Sequence, residues 1–108
     1  MSPQFHDVAR WGDLAEESAT RVVVEGVPIA LVRAESQVYA VSDLCSHAEV
    51  SLSEGEVEGC FIECWLHGSQ FDVRTGQPMS LPANSPIATY PTQLDGTGDD
   101  ARVLVSLS

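Results

Sequence analysis

Short apolar or alternating runs, bounded by glycine, proline or acidic residues, recur about every ten residues along this chain. Val22–Val24 and Ile29–Val32 are typical, because they are β-branched or apolar and too short for helices. One helical turn is predicted around Trp11–Glu17, with Asp13 as a possible cap. Strands are predicted at Phe5–Ala9, Arg21–Glu25, Ile29–Arg33, Val38–Ser42, Cys60–Cys64, Gln70–Val73, Ala88–Leu94 and Val103–Leu107.

Turn signals separate these predicted strands. They are Glu25-Gly26, Glu54-Gly55, Glu58-Gly59, Thr75-Gly76 and the polar run from Asp95 to Asp100. Short strands at this spacing predict an all-β fold, an antiparallel sandwich or barrel. The 108 residues fit one domain, with no internal repeat and no low-complexity linker.

The segment from Cys45 to His67 breaks the strand rhythm in the manner of an inserted subdomain, which we place at about residues 43–82. It contains two cysteine and histidine pairs, two turn glycines and five of the sixteen acidic residues of the chain, namely Glu49, Glu54, Glu56, Glu58 and Glu63. These acids are consistent with a solvated loop or with a docking role for a partner protein.

The charge of the chain is strongly negative. Sixteen acidic residues stand against five arginines and no lysine, giving a net charge of −11. Nucleic acids and anionic membranes require positive surface, so neither is an expected partner. Such acidity keeps a protein soluble and can also steer it toward a basic protein.

Nothing in the sequence indicates export or membrane insertion. The opening MSPQFHDVARWGDL lacks a basic segment followed by an apolar one, and no apolar run approaches membrane-spanning length. We expect a cytoplasmic protein. An odd count of three cysteines then favours metal binding over disulfides.

Two of the three cysteines have a histidine two or three residues downstream. Cys45 and His47 form the first pair, sixteen residues follow, and Cys64 and His67 form the second. Such short spacings put both side chains of a pair on one loop, where they can converge on a metal.

Three kinds of chemistry use these residue types. Zinc accepts two cysteines and two histidines, but zinc fingers usually group cysteine with cysteine and histidine with histidine. A cysteine–histidine nucleophile needs one pair and leaves the other unexplained. The mixed pairs suit a two-iron cluster in which one iron takes two thiolates and the other takes two imidazoles.

The sequence around the pairs resembles the Rieske signature C-x-H…C-x-x-H-G-x-x-F-D. It reads Cys45-Ser46-His47, then Cys64-Trp65-Leu66-His67-Gly68-Ser69-Gln70-Phe71-Asp72. Further similarity to the ferredoxin components of bacterial Rieske non-haem iron oxygenases lies in Val38-Tyr39-Ala40-Val41, Thr75-Gly76 and Tyr90-Pro91.

This resemblance implies a fold, a cofactor and partners. The fold would be a basal β domain with a small cluster-binding subdomain at one tip. One [2Fe–2S] cluster would be bound by Cys45, His47, Cys64 and His67. The protein would be a monomeric electron carrier with no catalytic residue, taking electrons from a flavin-dependent ferredoxin reductase and passing them to a terminal oxygenase or other redox enzyme.

Departures from the high-potential respiratory Rieske proteins narrow this expectation. Val50 and Leu66 occupy the positions of two further cysteines that form a disulfide in that group, and Phe71 replaces a tyrosine. Ser69, which can donate to a bridging sulfide there, is retained. The resemblance therefore implies a potential near the lower end of the roughly −150 to +300 mV Rieske range.

Several neighbouring residues have plainer interpretations. Cys60 is expected to be a packed thiol and His6 a surface or strand histidine. Trp65 and Leu66 would cover the cluster, Gly68 would allow close backbone approach, and Pro82 and Asn84 resemble a loop that packs over the cluster. The alternative functions are a subunit of another redox complex, such as a nitrite reductase small subunit or an iron–sulfur assembly protein, and a zinc-stabilised interaction domain.

Overall fold

Ten strands form three antiparallel sheets in the computed structural model, which describes residues 4–44, 50–65, 68–79 and 86–107. The described helices are three 3₁₀ turns of three residues each, so none of them could cross a membrane. The strands are β1 (Phe5–Arg10), β2 (Ser18–Val24), β3 (Val27–Ala34), β4 (Gln37–Ser42), β5 (Val57–Glu58), β6 (Phe61–Glu63), β7 (Gln70–Asp72), β8 (Thr89–Tyr90), β9 (Thr92–Asp95) and β10 (Arg102–Ser106).

The middle layer is the sheet β2-β3-β4-β8. Its strand β3 carries four consecutive fully buried residues, Ile29 to Val32. Successive side chains of a strand point to opposite faces, so this run has to be covered on both sides. The sheet β1-β10-β9 lies on one side, and the sheet β5-β6-β7, here called the tip sheet, lies on the other.

Two separate hydrophobic cores result from this layering. The basal core joins one face of the middle sheet to β10 and contains Leu14, Val24, Ile29, Leu31, Val38, Ala40, Val103 and Val105. The tip core joins the opposite face to the tip sheet and contains Ala30, Val32, Ala34, Val41, Leu52, Cys60, Ile62, Cys64, Phe71, Val73 and Ile87.

The all-β antiparallel prediction is confirmed, but two predicted elements differ from the structure. The predicted strand Ala88–Leu94 is two strands, β8 and β9, which belong to different sheets and are separated by Pro91. Proline has no backbone N–H for a ladder, so a change of sheet at this residue costs no hydrogen bond.

The predicted helical turn is shorter than expected. It is a 3₁₀ turn at Trp11–Asp13, and Asp13 lies at its end rather than at its cap. The cap position is Arg10, whose guanidinium instead donates to the Asp13 carboxylate at 3.1 Å. The strand β5 and the 3₁₀ turn at Leu52–Glu54 were not predicted, because elements of two or three residues leave no periodic pattern.

Two glutamates of the middle sheet's loops hold the β5–β6 turn. Glu17 accepts a hydrogen bond from the Gly59 N–H at 3.2 Å, and Glu35 accepts one from the Cys60 thiol at 2.9 Å. Both glutamates have φ near +50°, a conformation that costs free energy for any residue except glycine. The tip sheet is therefore attached to the middle layer by specific contacts as well as by the tip core.

The tip sheet lies within the segment 43–82 that the sequence assigns to a subdomain. The subdomain boundary itself stays a prediction.

Candidate metal centre

Of the four predicted ligands, the structure describes Cys64. Cys45, His47 and His67 lie outside the described residues, as do Leu66, Pro82 and Asn84.

Cys64 directly follows β6 and is fully buried in the tip core. Its N–H donates to the Ser69 carbonyl oxygen at 2.7 Å, and its own carbonyl oxygen accepts from the Gly68 N–H at 2.8 Å. These bonds extend the pairing of β6 with β7 by one residue pair. The residues on either side of the segment containing His67, Cys64 before it and Gly68 and Ser69 after it, are thus held together by backbone hydrogen bonds.

Gly68 closes this loop with φ of +75°, in the left-handed region. A side chain would be strained there, which explains why a glycine follows the predicted ligand His67. The sequence-based expectation for Gly68 was close backbone approach; the structure adds the conformational reason.

The segment containing Cys45 and His47 has a similar base. Leu44 pairs with Ser51 in an isolated β-bridge, and the Leu52 N–H donates to the Asp43 carbonyl oxygen at 2.6 Å. The strand β4 therefore ends beside Leu52 of the tip core, and the segment follows from that point.

Asp43 is the residue that sequence reasoning missed. Its carboxylate is fully buried, accepts a hydrogen bond from the Ser53 N–H at 2.8 Å and lies 3.2 Å from Nε of Arg21. It thereby ties the 3₁₀ turn after the first ligand segment to β2. The only signal in the sequence is an acid placed between an apolar strand and a predicted ligand, which a solvated loop would produce equally well.

Buried residues line the protein side of Cys64. Ser69 and Phe71 are fully buried, and Phe71 forms a β-bridge with Pro78. Val50 packs against the tip core, at one of the positions where the respiratory group has a further cysteine. The apolar members of this wall, Phe71 and Val50, lower the local dielectric and limit water access, both of which tune a metal centre.

Cys60 is a packed thiol, as predicted. It is buried in the tip core, and its thiol donates to Glu35 as described above. Burial raises the pKa of this thiol, and the neighbouring Glu35 carboxylate raises it further. A neutral thiol with a carboxylate partner is a poor metal ligand, since metals bind the thiolate.

The donor set fits an iron–sulfur cluster. Cys64 is buried and free of any disulfide, and the segments with the other three predicted donors, Cys45, His47 and His67, begin beside it or beside Asp43. Within the described ranges no three metal-binding side chains converge, and the full ligand set stays a prediction.

Exposed apolar side chains border these segments. Leu44, Trp65 and Met79 are each about half exposed, and each directly precedes a segment outside the described residues. Trp65 is expected to cover the cluster, and this role stays a prediction. His6 lies in β1 with Nε2 3.9 Å from the Glu25 carboxylate, remote in sequence from the site.

Comparison with known proteins shows which family this chain is similar to. The family model of the Rieske [2Fe-2S] domain matches residues 4–91. The ferredoxin component of the naphthalene 1,2-dioxygenase system of Pseudomonas aeruginosa is 36% identical over 108 residues, which is all of both chains.

Solved structures of ferredoxins are also similar to this chain in fold and in sequence. The ferredoxin of carbazole 1,9a-dioxygenase from Nocardioides aromaticivorans is 39% identical with a TM-score of 0.88, covering 94% of this chain and 96% of that one. A chain in the complex of reduced oxygenase and oxidised ferredoxin in carbazole 1,9a-dioxygenase is 34% identical with a TM-score of 0.84, covering 94% and 92%.

Proposed function

Since the chain belongs to the Rieske [2Fe-2S] domain family, we propose that Cys45, His47, Cys64 and His67 are the ligands of its cluster. The family has one [2Fe–2S] cluster with two cysteine and two histidine ligands, and the relatives are ferredoxin components that carry electrons without catalysing a reaction themselves. This protein is an electron carrier of that kind.

The observation that supports the ligand set is the environment of Cys64. It is a buried, unpaired thiol at the base of a closed loop that contains His67, whereas Cys60 is engaged by Glu35. With two cysteines needed and Cys60 engaged elsewhere, Cys64 and Cys45 are the candidates, and each has its histidine close in sequence.

When bound, the cluster supplies a one-electron couple. The chain fixes the base of each ligand segment, through Asp43 for the first and through the Cys64–Ser69 pairing for the second. Ile62 and Phe71 exclude water from the protein side of Cys64.

We further propose that the electrons come from a flavin-dependent ferredoxin reductase and pass to a terminal oxygenase, with the protein acting as a cytoplasmic monomer. The full-length similarity to dioxygenase ferredoxins supports this assignment. Similarity to a putative nitrite reductase small subunit is 24% in identity, which concerns the fold alone. The family match also displaces the zinc-stabilised interaction domain as an explanation of the four ligands.

Five single variants test the ligand set. Replacing any of Cys45, His47, Cys64 or His67 by alanine should abolish the native cluster, because each removes one of the four bonds that hold two irons. Cys60→Ala is the matched control and should retain the cluster. Iron and acid-labile sulfide are assayed in all five. A wild-type cluster in His67→Ala, or a lost one in Cys60→Ala, would overturn the assignment.

A further inference from the structure

A groove of about 350 Å³ opens directly beside Cys64, lined by Glu54, Gly55, Glu56, Glu63 and Trp65. We call it the tryptophan groove. Glu63 and Trp65 flank Cys64 in the chain, so the groove adjoins the predicted cluster site. None of the residues that line it is a predicted cluster ligand, and the proposed electron-carrier role assigns them no function.

The groove is built by close packing of backbone. A Cβ atom on Gly55 would lie 1.7 Å from the Glu63 carbonyl oxygen, so only glycine allows this approach. The Glu63 N–H donates to the Glu56 carbonyl oxygen at 2.8 Å, which places Glu56 opposite Glu63 in the register of β5 and β6. Like charges directly opposite each other destabilise a β ladder.

No cation of this chain offsets that repulsion in the described structure. The chain has no lysine, and each of its five arginines is paired with an acid outside the groove. The pairs are Arg10 with Asp13 and Asp100, Arg21 with Asp43, Arg33 with Glu16, Arg74 with Asp72, and Arg102 with Asp7. The groove therefore combines three carboxylates with no arginine of its own.

The surroundings of Trp11, the other tryptophan of the chain, show which group fits an aromatic ring beside a carboxylate. The Arg33 guanidinium lies 4.2 Å from the centre of the Trp11 ring and pairs with Glu16 at 3.3 Å. Trp65 and three glutamates likewise line one groove, which thus has an aromatic ring and carboxylates but no arginine. Trp65 is 51% exposed, so its ring is available to a group from outside the molecule.

We infer that the tryptophan groove receives an arginine side chain of the redox partner, an inference that rests on the proposed electron-carrier role. A guanidinium is planar and stacks on an indole ring, and its N–H groups pair with carboxylates in fork geometry. A lysine ammonium matches the charge but neither stacks in this way nor forms the fork. The groove thus selects arginine over lysine and seats the partner beside Cys64.

The test uses the cluster-containing protein and two probes of equal charge, acetylated and amidated tetra-arginine and tetra-lysine peptides. Isothermal titration calorimetry at 0.1 M salt gives both dissociation constants. Any acidic surface attracts both peptides, so the measured quantity is the preference for arginine. We expect a preference of about two- to five-fold in the wild type, the size of a cation–π contact at an exposed site.

Three variants locate the preference. Trp65→Ala should remove it, and Trp65→Phe should reduce it. Glu56→Gln should weaken tetra-arginine binding more than Glu58→Gln, the matched control, because Glu58 lies two residues away and lines a different cavity with Gly59 and Cys60. Equal affinity for the two peptides in the wild type, an unchanged preference in Trp65→Ala, or equal effects of Glu56→Gln and Glu58→Gln would overturn the inference.

Iron and sulfide content of the same wild-type samples separates this inference from the proposed function. Absence of iron and sulfide would refute the electron-carrier role, whereas a normal cluster with no arginine preference would refute the groove alone.

Discussion

The basal layers and the tip sheet are built by different means. The basal layers are the middle sheet and the sheet β1-β10-β9. Their strands β1 to β4 and β10 are five to eight residues long and form long antiparallel ladders. In the tip sheet no strand exceeds three residues. Short ladders contribute few hydrogen bonds, so the tip depends on its core, on close glycine contacts and on buried side chains such as Asp43.

This difference indicates that the two regions have different local stabilities. Segments with few ladder bonds open at a lower free energy than the central strands of a domain. The second ligand segment starts and ends in this less stable region, and the first, which follows β4, is succeeded by Leu52 of the tip core. We therefore expect cluster loss to report on the tip and global unfolding to report on the basal layers. Three of the variants proposed below, Ile62→Ala, Gly55→Ala and Asp43→Ala, are each compared with a matched change in the basal layers.

The largest effect is expected from emptying each core. Ile62 in the tip core and Ile29 in the basal core are both fully buried, so each isoleucine-to-alanine change should cost about 2–5 kcal/mol of stability. Thermal unfolding should show comparable losses. Bleaching of the visible absorption should be clearly faster in Ile62→Ala, and equal bleaching rates would mean that the two regions open as one unit.

A smaller effect is expected from adding one methyl group at a glycine. Gly55→Ala places a Cβ against the Glu63 backbone and should cost about 2–3 kcal/mol, because the backbone beside Cys64 has to move. Gly26→Ala, in the β2–β3 turn, meets no atom within 4 Å and should cost only about 1–2 kcal/mol from its φ of +82°. Cluster content should fall in the first variant alone; a loss in both would contradict the comparison.

The next largest loss of stability is expected from removing a buried carboxylate, Asp43, in comparison with an exposed one, Asp7. Asp43→Ala leaves the Ser53 N–H without its acceptor in a part-buried site and should cost about 1–3 kcal/mol. Asp7→Ala removes an exposed pair with Arg102 and should leave the melting temperature nearly unchanged. Cluster loss, measured by visible absorbance at 25 °C, should be faster in Asp43→Ala. Equal stability of the two variants would contradict the anchoring role of Asp43.

The same contrast explains what sequence could predict. The run Ile29–Val32 marks a strand covered on both faces, and the spacing of the cysteine and histidine pairs marks a metal centre, because both signals depend on local order along the chain. The tip sheet could not be predicted in the same detail. Residues 57–58 are too few to show a period, and the partners of Asp43 and Gly55 are distant side-chain or backbone groups that no local pattern specifies. The half exposure of Trp65 could not be predicted either, because exposure depends on how distant parts of the chain pack around the side chain.

The smallest effect concerns the link between the two regions, the hydrogen bond from the Cys60 thiol to Glu35. Burial and the Glu35 carboxylate raise the pKa of this thiol above its ordinary value of 9.0 in the folded protein. Between the unfolded and the folded pKa the unfolded chain has lost the proton while the folded chain retains it, so unfolding is favoured as pH rises. The contribution of Cys60 is therefore fully present below about pH 9 and declines above it. Cys60→Ala lacks this group, so its stability should decrease less steeply between pH 8.5 and 10.5 than that of the wild type, even if it is lower at neutral pH. Melting temperatures of the two cluster-containing proteins across this range are the measurement. Parallel curves would mean that the thiol is not held neutral by the link, and the attachment of the tip sheet would then rest on Glu17 and the tip core.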